Sequence, residues 1–468
     1  MAFSLYIAVG TSSPLEALAS HIMDALPFKL NFLGQLPSLR IYTQICLCFP
    51  FDASSDCEIV RSLEKGLETL STNFPWVAGQ IVSEGSSHNN SGTVKLQALG
   101  KTPPLVVKDF RHDPNVPTIE DLRHADFPFR MLDENIIAPR MTLPGPDEDI
   151  ISPAFLVQVN FIRGGLLLTF VGHHGAMDMT GQAQVIHLFS KACRGDPYTE
   201  LELESGNLAE GQLIPLLDGS SGPGPELSRQ IIRPKPQQPS VPFSKSTWSY
   251  FSFDKSSLAK LKLLAEQSKA SEFISTDDAL SAFVWQSVLR ARLKRLSPSH
   301  NTTLGRAVDV RKYFGIPPTY TGLMQNMVYH TDTVQDLLDK PLGVIASQLR
   351  TAIDPQTSSL QSHTRALATY IERLVDKSSI SFGASFNPST DIMISSWASV
   401  NCYELDFGLG LGKPEAVRRP QFTPFEGLIY FMPKRPDGEI AVALSLQEED
   451  MARLAADEEF KKFGKYIP

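Results

Sequence analysis

The stretch Leu166-Leu-Leu-Thr-Phe-Val-Gly-His-His-Gly-Ala-Met-Asp178 joins two patterns that decide the local fold. Its apolar start follows a second apolar run, Phe155 to Ile162, after a glycine-containing turn, which is typical of a two-stranded hairpin. The segment Thr180 to Cys193 then has apolar residues at helical spacing. The sequence therefore predicts that His174 and Asp178 lie in a loop between a strand and a helix.

His174 and Asp178 form a histidine and a carboxylate four residues apart. An imidazole is half neutral near pH 7, as a base that deprotonates an alcohol requires. The spacing alone is weak evidence, because a buried structural histidine gives the same pattern, and the carboxylate could orient the ring or lock the turn. We interpret His173 as a packing residue, because a neighbour in a strand points the opposite way.

Further patterns predict both helices and strands in the rest of the chain, so we predict a mixed α/β fold. A helical stripe covers Glu58 to Phe74, and Ser275 is placed to cap a second helix that follows it. Asp391 to Val400 has the composition of a strand, and Cys402 to Leu411 that of a glycine-rich loop.

A segment rich in proline and glycine divides the chain into nearly equal halves. Proline forbids regular helix and favours an extended crossover. We therefore predict an N-terminal domain at 1–218, a crossover linker at 219–245 and a C-terminal domain at 246–468. The two halves show no internal sequence repeat.

Composition excludes several classes of function. A formal net charge of -8 argues against a nucleic-acid surface. The most apolar stretch, Ala154 to Gly172, is interrupted by polar residues and glycines, so we predict no membrane span. The five cysteines are odd in number and show no paired framework, which favours a reducing, cytoplasmic compartment.

The sequence also offers little for metal or nucleophilic catalysis. No Cys, His or Glu cluster has the spacing of a metal site, so we predict no metal. A Gly-x-Ser-x-Gly turn is absent, and Cys193 near a helix end is better interpreted as a small apolar residue than as a reactive thiol. Direct transfer between substrates follows, without an acyl-enzyme.

The paired motifs His174-Gly-Ala-Met-Asp178 and Asp406-Phe-Gly-Leu-Gly410 resemble the His-x-x-x-Asp and Asp-Phe-Gly-Trp-Gly motifs of the BAHD acyltransferases. From about Leu33 to the C-terminus, the chain more closely resembles the fungal trichothecene 3-O-acetyltransferases. The motifs that carry this closer resemblance are Phe74-Pro-Trp-Val-Ala-Gly-Gln80, Asp133-Glu-Asn-Ile-Ile-Ala-Pro-Arg140, Ser275-Thr-Asp-Asp-Ala-Leu-Ser-Ala-Phe283, Gly408-Leu-Gly-Leu-Gly-Lys-Pro-Glu415 and Tyr430-Phe-Met-Pro-Lys434.

This resemblance implies two domains of the chloramphenicol-acetyltransferase type, each a mixed sheet with flanking helices, joined by a crossover loop. It places His174 in a channel between them, with acetyl-CoA entering from one face and the alcohol from the other. The implied activity is acetylation of the C3 hydroxyl of trichothecene sesquiterpenoids, in mycotoxin biosynthesis and self-protection. We expect a monomer whose only ligands are acetyl-CoA and a small alcohol.

The resemblance also implies roles for other residues of the motifs. His174, Asp178 and Asp406 are the motif residues of the catalytic centre, with Asp178 paired to Arg311 to hold the loop and Asp406 shaping its own loop. Ser395 and Trp397 match a stretch whose hydroxyl and indole N–H stabilise an oxyanion, and both groups can donate hydrogen bonds.

Binding of CoA is less well marked in the sequence. Leu409 stands where the wider family has tryptophan, which weakens any expectation of aromatic stacking on CoA. For the phosphates we expect Lys413, Arg418 and Arg419, a basic cluster in an acidic protein, with a solvated surface as the open alternative. Ser275, at a helix start, is a second expectation of similar weight.

Three alternatives remain open at this point. The chain could acetylate another fungal alcohol or an amine, or it could be a non-catalytic paralogue that binds the toxin. A peptide-synthetase condensation domain also carries two histidines and an aspartate, but Met179 stands where that motif has glycine, and no carrier domain follows.

Overall fold

The computed structural model describes residues 28–51, 56–143, 145, 151–207, 213–218, 224–233 and 245–468. Residues 1–27, for which the sequence gives no role, and most of the predicted linker lie outside these ranges. No helix within the described ranges combines the length and the apolar character that crossing a membrane requires.

The strands and helices alternate along the chain as in a mixed α/β protein. The strands are β1 (Phe28–Lys29), β2 (Tyr42–Pro50), β3 (Gly79–Glu84), β4 (Thr93–Ala98), β5 (Leu105–Asp109), β6 (Phe155–Ile162), β7 (Gly165–His173), β8 (Ser246–Phe253), β9 (Asn301–Asp309), β10 (Gln325–Thr333), β11 (Ile392–Ser396), β12 (Ala416–Arg418), β13 (Leu428–Phe431), β14 (Ile440–Gln447) and β15 (Lys465–Ile467). The helices are α1 (Asp56–Asn73), α2 (Ile119–His124), α3 (Glu134–Ile137), α4 (Met179–Arg194), α5 (Glu200–Gly206), α6 (Lys255–Glu266), α7 (Thr276–Arg292), α8 (Val334–Asp339), α9 (Leu342–Thr351), α10 (Leu360–Arg373), α11 (Glu448–Ala456) and α12 (Glu458–Lys461).

One main sheet has the strand order β12-β2-β7-β6-β5. Its strands β6 and β7 form the predicted antiparallel hairpin, with Ile162 opposite Gly165 across the turn. All residues of both strands are buried, as expected when an apolar run is covered on both faces. The predicted helices α1 and α4 pack on this sheet within one core, which contains Leu63 of α1 and Phe189 of α4.

The other main sheet has the order β10-β9-β11-β13-β14-β8-β15. Its main covering helix, α7, begins at the predicted cap: Ser275 accepts from the N–H of Asp278, whose carboxylate accepts from the N–H of Ser275 in return. Almost every side chain of α7 is buried. This helix therefore fixes the position of Ser275 and of the acidic residues that follow it.

Strand β11 is shorter than the sequence predicts. It ends at Ser396, and the chain then turns, with the N–H of Val400 donating to the carbonyl of Trp397 at 2.9 Å. The apolar residues at 397–400 belong to this turn, so their hydrophobicity does not continue the strand.

A short strand from the second half of the chain joins the sheet of the first half. Strand β12 pairs antiparallel with β2, with Ala416 opposite Cys48 and Arg418 opposite Cys46. Because β2 also pairs with β7, the segment after β12 comes to the sheet edge where β7 ends. The C-terminal half thus contributes a strand to the sheet from which the His174 loop leaves.

The described part of the linker is anchored to the C-terminal half. Ile231 forms a β-bridge with Ile380, and the buried side chain of Gln230 donates to Asn326 at 2.9 Å. A third, small sheet has the order β1-β4-β3. The division into 1–218, 219–245 and 246–468 stays a prediction.

Candidate active site

His174 follows β7 directly and begins the loop that leads to α4. Its backbone N–H donates to the carbonyl of Ile41 at 2.8 Å, which continues the pairing of β7 with β2. Its ring Nδ1 lies 3.2 Å from the carbonyl oxygen of Met177. Because a carbonyl can only accept, Nδ1 must carry the proton, and the lone pair of Nε2 is left to act as a base.

The surroundings of His174 keep its ring neutral. Burial lowers the pKa of the imidazole below 6.5, and the positive charge of Arg419 adds to that shift. The carbonyl of Met177 and the charge of Asp178 act in the opposite direction without reversing it. His174 is therefore neutral at pH 7, which is the state a general base needs.

His173 has a different environment. Its ring is 3% exposed, its Nδ1 accepts from the N–H of Gly175 at 3.1 Å, and it packs edge-on against Tyr42. Burial lowers its pKa to about 3. These contacts agree with our interpretation of His173 as a packing residue.

The carboxylate of Asp178 is committed to partners other than His174. Its two oxygens accept from the Arg311 guanidinium at 2.9 and 3.0 Å, in a bidentate pair. They also accept from the N–H of Gly181, which caps α4, and from the N–H of Met324. Asp178 therefore ties the start of α4 to the C-terminal half.

Arg311 is held from several sides. Its guanidinium also donates to the carbonyls of Tyr320 and Gly322, at 3.1 and 2.6 Å. Burial alone would lower the pKa of Arg311, but the charges of Asp178 and Asp309 outweigh burial and hold that pKa above its usual value. The Asp178–Arg311 pair that the resemblance implies is therefore present. Its guanidinium carries a positive charge at any physiological pH.

Ser395 and Trp397 form a second unit at the end of β11. The indole N–H of Trp397 donates to the hydroxyl oxygen of Ser395 at 3.0 Å. The next hydroxyl, that of Ser396, donates to Asp277 at the start of α7. In this arrangement the indole N–H already has an acceptor, so Ser395 O–H is the better placed donor for an oxyanion.

A groove of about 1090 Å³ runs beside these residues. Asp178, Arg311, Ser395 and Trp397 are among the residues that line it. Ser275 lies on its wall, where its hydroxyl accepts from Arg350 at 2.7 Å. The groove therefore reaches from the His174 loop to the start of α7.

Six basic side chains that the sequence analysis did not assign to a site also line the groove: Lys255, Lys262, Arg306, Lys312, Arg350 and Lys434. Lys255 and Lys262 are seven residues apart, so they share one face of α6. That spacing was visible in the sequence, whereas the approach of the other four depends on the fold. Arg306 and Arg350 are paired with Asp277 and Asp278, so the lysines supply the positive charge that phosphates would need.

The glycine-rich loop has a structural basis. Asp406 accepts from the N–H of Gly408 at 2.8 Å, and Arg194 of α4 donates to the Asp406 carbonyl. Gly408, Gly410 and Gly412 all have φ between 66° and 75°, which disfavours larger residues there. Asp406 thus shapes the loop through its carboxylate and its backbone carbonyl, each of which accepts a hydrogen bond.

The basic residues after this loop do not form one surface cluster. Lys413 is exposed and paired with Glu404. Arg418 and Arg419 are each 2% exposed, and Arg418 donates to the carbonyls of Phe127, Val417 and Asp126. This burial argues against a role for Arg418 and Arg419 in binding CoA phosphates, so Lys413 alone of the three keeps a solvent-facing charge.

Two of the cysteines, and the arrangement of possible metal ligands, can be examined in the described part of the chain. Burial raises the pKa of both Cys193 and Cys402 to about 12, which leaves each thiol protonated and unreactive. The residues described there contain no group of three or more Cys, His, Asp or Glu side chains arranged to hold a metal ion.

Comparison with known proteins gives consistent matches. Residues 41–193 match the family model of the trichothecene 3-O-acetyltransferase-like N-terminal domain. The chain is 57% identical to an O-acetyltransferase of Cryptosporiopsis sp., over 96% of this chain and 100% of that one. It is 51% identical to the trichothecene 3-O-acetyltransferase of Fusarium sporotrichioides, over 97% and 100% of the two chains.

Solved structures agree with these sequence matches. The structure of F. graminearum TRI101 complexed with coenzyme A and deoxynivalenol has a TM-score of 0.91 and 47% identity, covering 95% of this chain and 100% of that one. Vinorine synthase matches with a TM-score of 0.64 at 18% identity, over 93% of each chain, which concerns the fold alone.

Proposed function

Since this chain belongs to the trichothecene 3-O-acetyltransferase family of BAHD-type acyltransferases, we propose that it acetylates the C3 hydroxyl of a trichothecene from acetyl-CoA. Its fold is that of two chloramphenicol-acetyltransferase-like domains, and it is an acyltransferase whose co-substrate is acetyl-CoA. The assignment of roles to individual residues is the part of the proposal that follows from the site.

One observation carries the chemistry: the contact of His174 Nδ1 with the carbonyl of Met177. It leaves Nε2 as the basic nitrogen of a neutral ring. In the proposed reaction Nε2 takes the proton of the alcohol as the alcohol oxygen bonds to the thioester carbonyl carbon. General-base assistance of this kind contributes about 10²–10⁴-fold to the rate.

In the remaining steps an oxyanion forms and collapses, and CoA leaves with the proton. The carbonyl electron pair moves to oxygen, and the resulting oxyanion accepts from the Ser395 hydroxyl, which is worth roughly 10²–10³-fold for a well-placed donor. The oxyanion then collapses, the carbon–sulfur bond breaks, and the departing thiolate takes the proton from His174. The products are the acetate ester and free CoA.

The groove, which Asp178 of the His174 loop lines, suits CoA better than it suits a terpenoid. Its lysines match the anionic phosphates of the nucleotide, and Ser395 is among its lining residues. We assign the groove to acetyl-CoA, with Ser275 near the nucleotide part. The alcohol would then approach His174 from the other side.

A second acceptor class has a specific observation in its favour. The relative at 57% identity is named only as an O-acetyltransferase, whereas the relatives named for trichothecenes are 51% and 45% identical. Another fungal alcohol is therefore the main rival substrate. A non-catalytic protein that binds toxin without turnover is the other alternative.

We further propose that the protein works as a monomer in the cytoplasm, without nucleic acid or membrane. All five cysteines are free thiols, which suits a reducing compartment, and the net charge of -8 opposes phosphate backbones.

A thiol-release assay separates these possibilities. The chain is mixed with acetyl-CoA and, in turn, with a trichothecene bearing a free C3 hydroxyl, the same compound already acetylated at C3, and a panel of other alcohols. We expect free thiol and ester in equal amounts with the first compound only. Turnover with another alcohol only would show that this alcohol, and not a trichothecene, is the substrate. No turnover with any alcohol would support the alternative of a non-catalytic protein that binds toxin.

A further inference from the structure

Arg419 is a buried cation without a described carboxylate partner. It is 2% exposed, and the single hydrogen bond described for its guanidinium is a long one, 3.4 Å to the hydroxyl of Thr142. Its Nε is buried and has no acceptor among the residues that the structure describes. A buried charge is normally paired or amply hydrogen-bonded, so an arginine held in this way needs an explanation.

Three aromatic rings surround the guanidinium. Its central carbon lies 4.3 Å from the ring centre of Phe422, 4.7 Å from that of Tyr430 and 5.5 Å from that of Trp397. Trp397 and Tyr430 also pack on each other at 4.9 Å. Cation–π attraction replaces part of the lost hydration and fixes the charge in one place. We call these three rings the aromatic cage.

The cage joins the two halves at the active site. Arg419 follows β12, which belongs to the N-terminal sheet, and its backbone exchanges hydrogen bonds with the hydroxyl of Tyr250 at 3.0 and 3.2 Å. Its side chain enters a cage built by the C-terminal half. One wall of that cage is Trp397, whose indole N–H holds the hydroxyl of Ser395.

We propose that Arg419 is a positioning residue of acetyl transfer: it fixes the Trp397–Ser395 pair through the aromatic cage and holds a permanent positive charge against the Trp397 ring. The effect that we expect on the rate of acetyl transfer rests on the proposed function. The charge favours the neutral imidazole over the imidazolium, and it favours negative charge on the reacting oxygens.

Other charges near these groups do not duplicate this effect. Towards His174, Asp178 acts in the opposite direction, and His173 is neutral because burial lowers its pKa to about 3. Towards Arg419, the nearby acid is Glu134, which accepts from Gln44 and from the N–H of Thr142. Burial raises the pKa of Glu134, and its described hydrogen bonds go to these groups and not to Arg419.

The test compares three variants by the pH dependence of kcat/KM. Arg419→Met removes the charge, Arg419→Lys keeps it without the planar stack, and Arg418→Met removes the neighbouring arginine, which is equally buried but bonded to three carbonyls. We expect the acid limb of the pH profile of kcat/KM to move to higher pH by at least about half a pH unit in Arg419→Met. In Arg419→Lys and Arg418→Met it should stay in place. Turnover should fall about tenfold or more in Arg419→Met.

An unchanged acid limb in Arg419→Met, or an equal shift in Arg418→Met, overturns the proposal. If Arg419→Met does not fold, the ring of His174 is titrated by NMR in Arg419→Gln and in the unmodified protein, with His174→Ala to assign its signal. An equal pKa of that ring in the two proteins contradicts the proposal. The titration needs no turnover, so it separates failure of this inference from failure of the proposed function.

Discussion

The two histidines at the end of β7 are adjacent in sequence and opposite in chemistry. His173 gives its Nδ1 lone pair to the N–H of Gly175 and packs on Tyr42, so burial and packing define its role. His174 donates from Nδ1 to a carbonyl and keeps Nε2 available. The difference arises because strand geometry sends successive side chains to opposite faces.

Replacing His174 with alanine should lower turnover by about 10²–10⁴-fold while leaving the fold intact, because no neighbouring group can take the proton. Steady-state kinetics and thermal unfolding on the same sample check both parts. His173→Ala is the matched control, and it should be far milder in rate. A His174→Ala variant that keeps more than about a tenth of the rate, or a reversal of the two results, would make our choice of base wrong.

At the scale of elements, the His174 loop is held by its attachment to α4. Asp178 is at once the cap of that helix and the partner of Arg311, so one carboxylate joins the helix to the opposite half. Gly181, one turn into α4, has its Cα so close to the carbonyl of Thr321 that an added Cβ would lie 1.9 Å from its oxygen. The loop therefore rests on a close contact between the halves.

Asp178→Asn should destabilise the fold by about 3 kcal/mol, because it removes the buried, bidentate charged partner of the Arg311 guanidinium and leaves only the partly exposed Asp309. Denaturant unfolding measures the loss. Asp309→Asn is the control: Asp309 accepts from the same guanidinium at 3.0 Å, but its side chain is 41% exposed, so its loss should cost little. Unchanged stability of Asp178→Asn with a collapsed rate would instead make Asp178 a direct partner of His174 in catalysis.

The elements that the sequence predicts well are those with strong periodicity and clear ends. The hairpin of β6 and β7 and the helices α1, α4 and α7 fall where apolar spacing, capping residues and glycines place them. Strand β12 escapes prediction because it is a three-residue strand within a loop, with no periodicity of its own. Its pairing with β2 depends on contacts between residues far apart in the chain.

At the scale of the whole molecule, the site is assembled from segments that the sequence cannot bring together. The pairing of Asp178 with Arg311 is available beforehand only through family resemblance. The lysines of the groove come from α6 and from two segments far from it in the chain, and the burial of Arg418 and Arg419 depends on the packing of both halves. The local sequence pattern identifies candidate site residues, and tertiary packing determines which of them face a ligand.

The buried histidines also set an expectation for stability against pH. Burial lowers the pKa of His173 to about 3 and that of His330 to about 4, both below the value of 6.5 for an exposed ring. The unfolded chain therefore binds more protons below pH 6.5, and the free energy of unfolding should fall as pH decreases from 6.5 towards 4. Each such group contributes up to about 1.4 kcal/mol per pH unit.

Denaturant unfolding between pH 7 and 5 checks this slope. Glu134 and Asp391 act in the opposite sense, because burial raises the pKa of each. We still expect a net loss, since the pKa of His174, His187 and His363 is lowered as well. A free energy of unfolding that stays constant or rises across this range would show that the histidines are not buried as described.

The central claim is that the acetyl group passes directly from CoA to the alcohol, with His174 moving the proton and no group of the protein carrying the acetyl. The intact mass of the protein after mixing with acetyl-CoA alone tests this most directly. Because the thiols of Cys193 and Cys402 are held protonated, we expect the mass to remain that of the unmodified chain. A mass increase of one acetyl group, lost only when the alcohol is added, would contradict direct transfer.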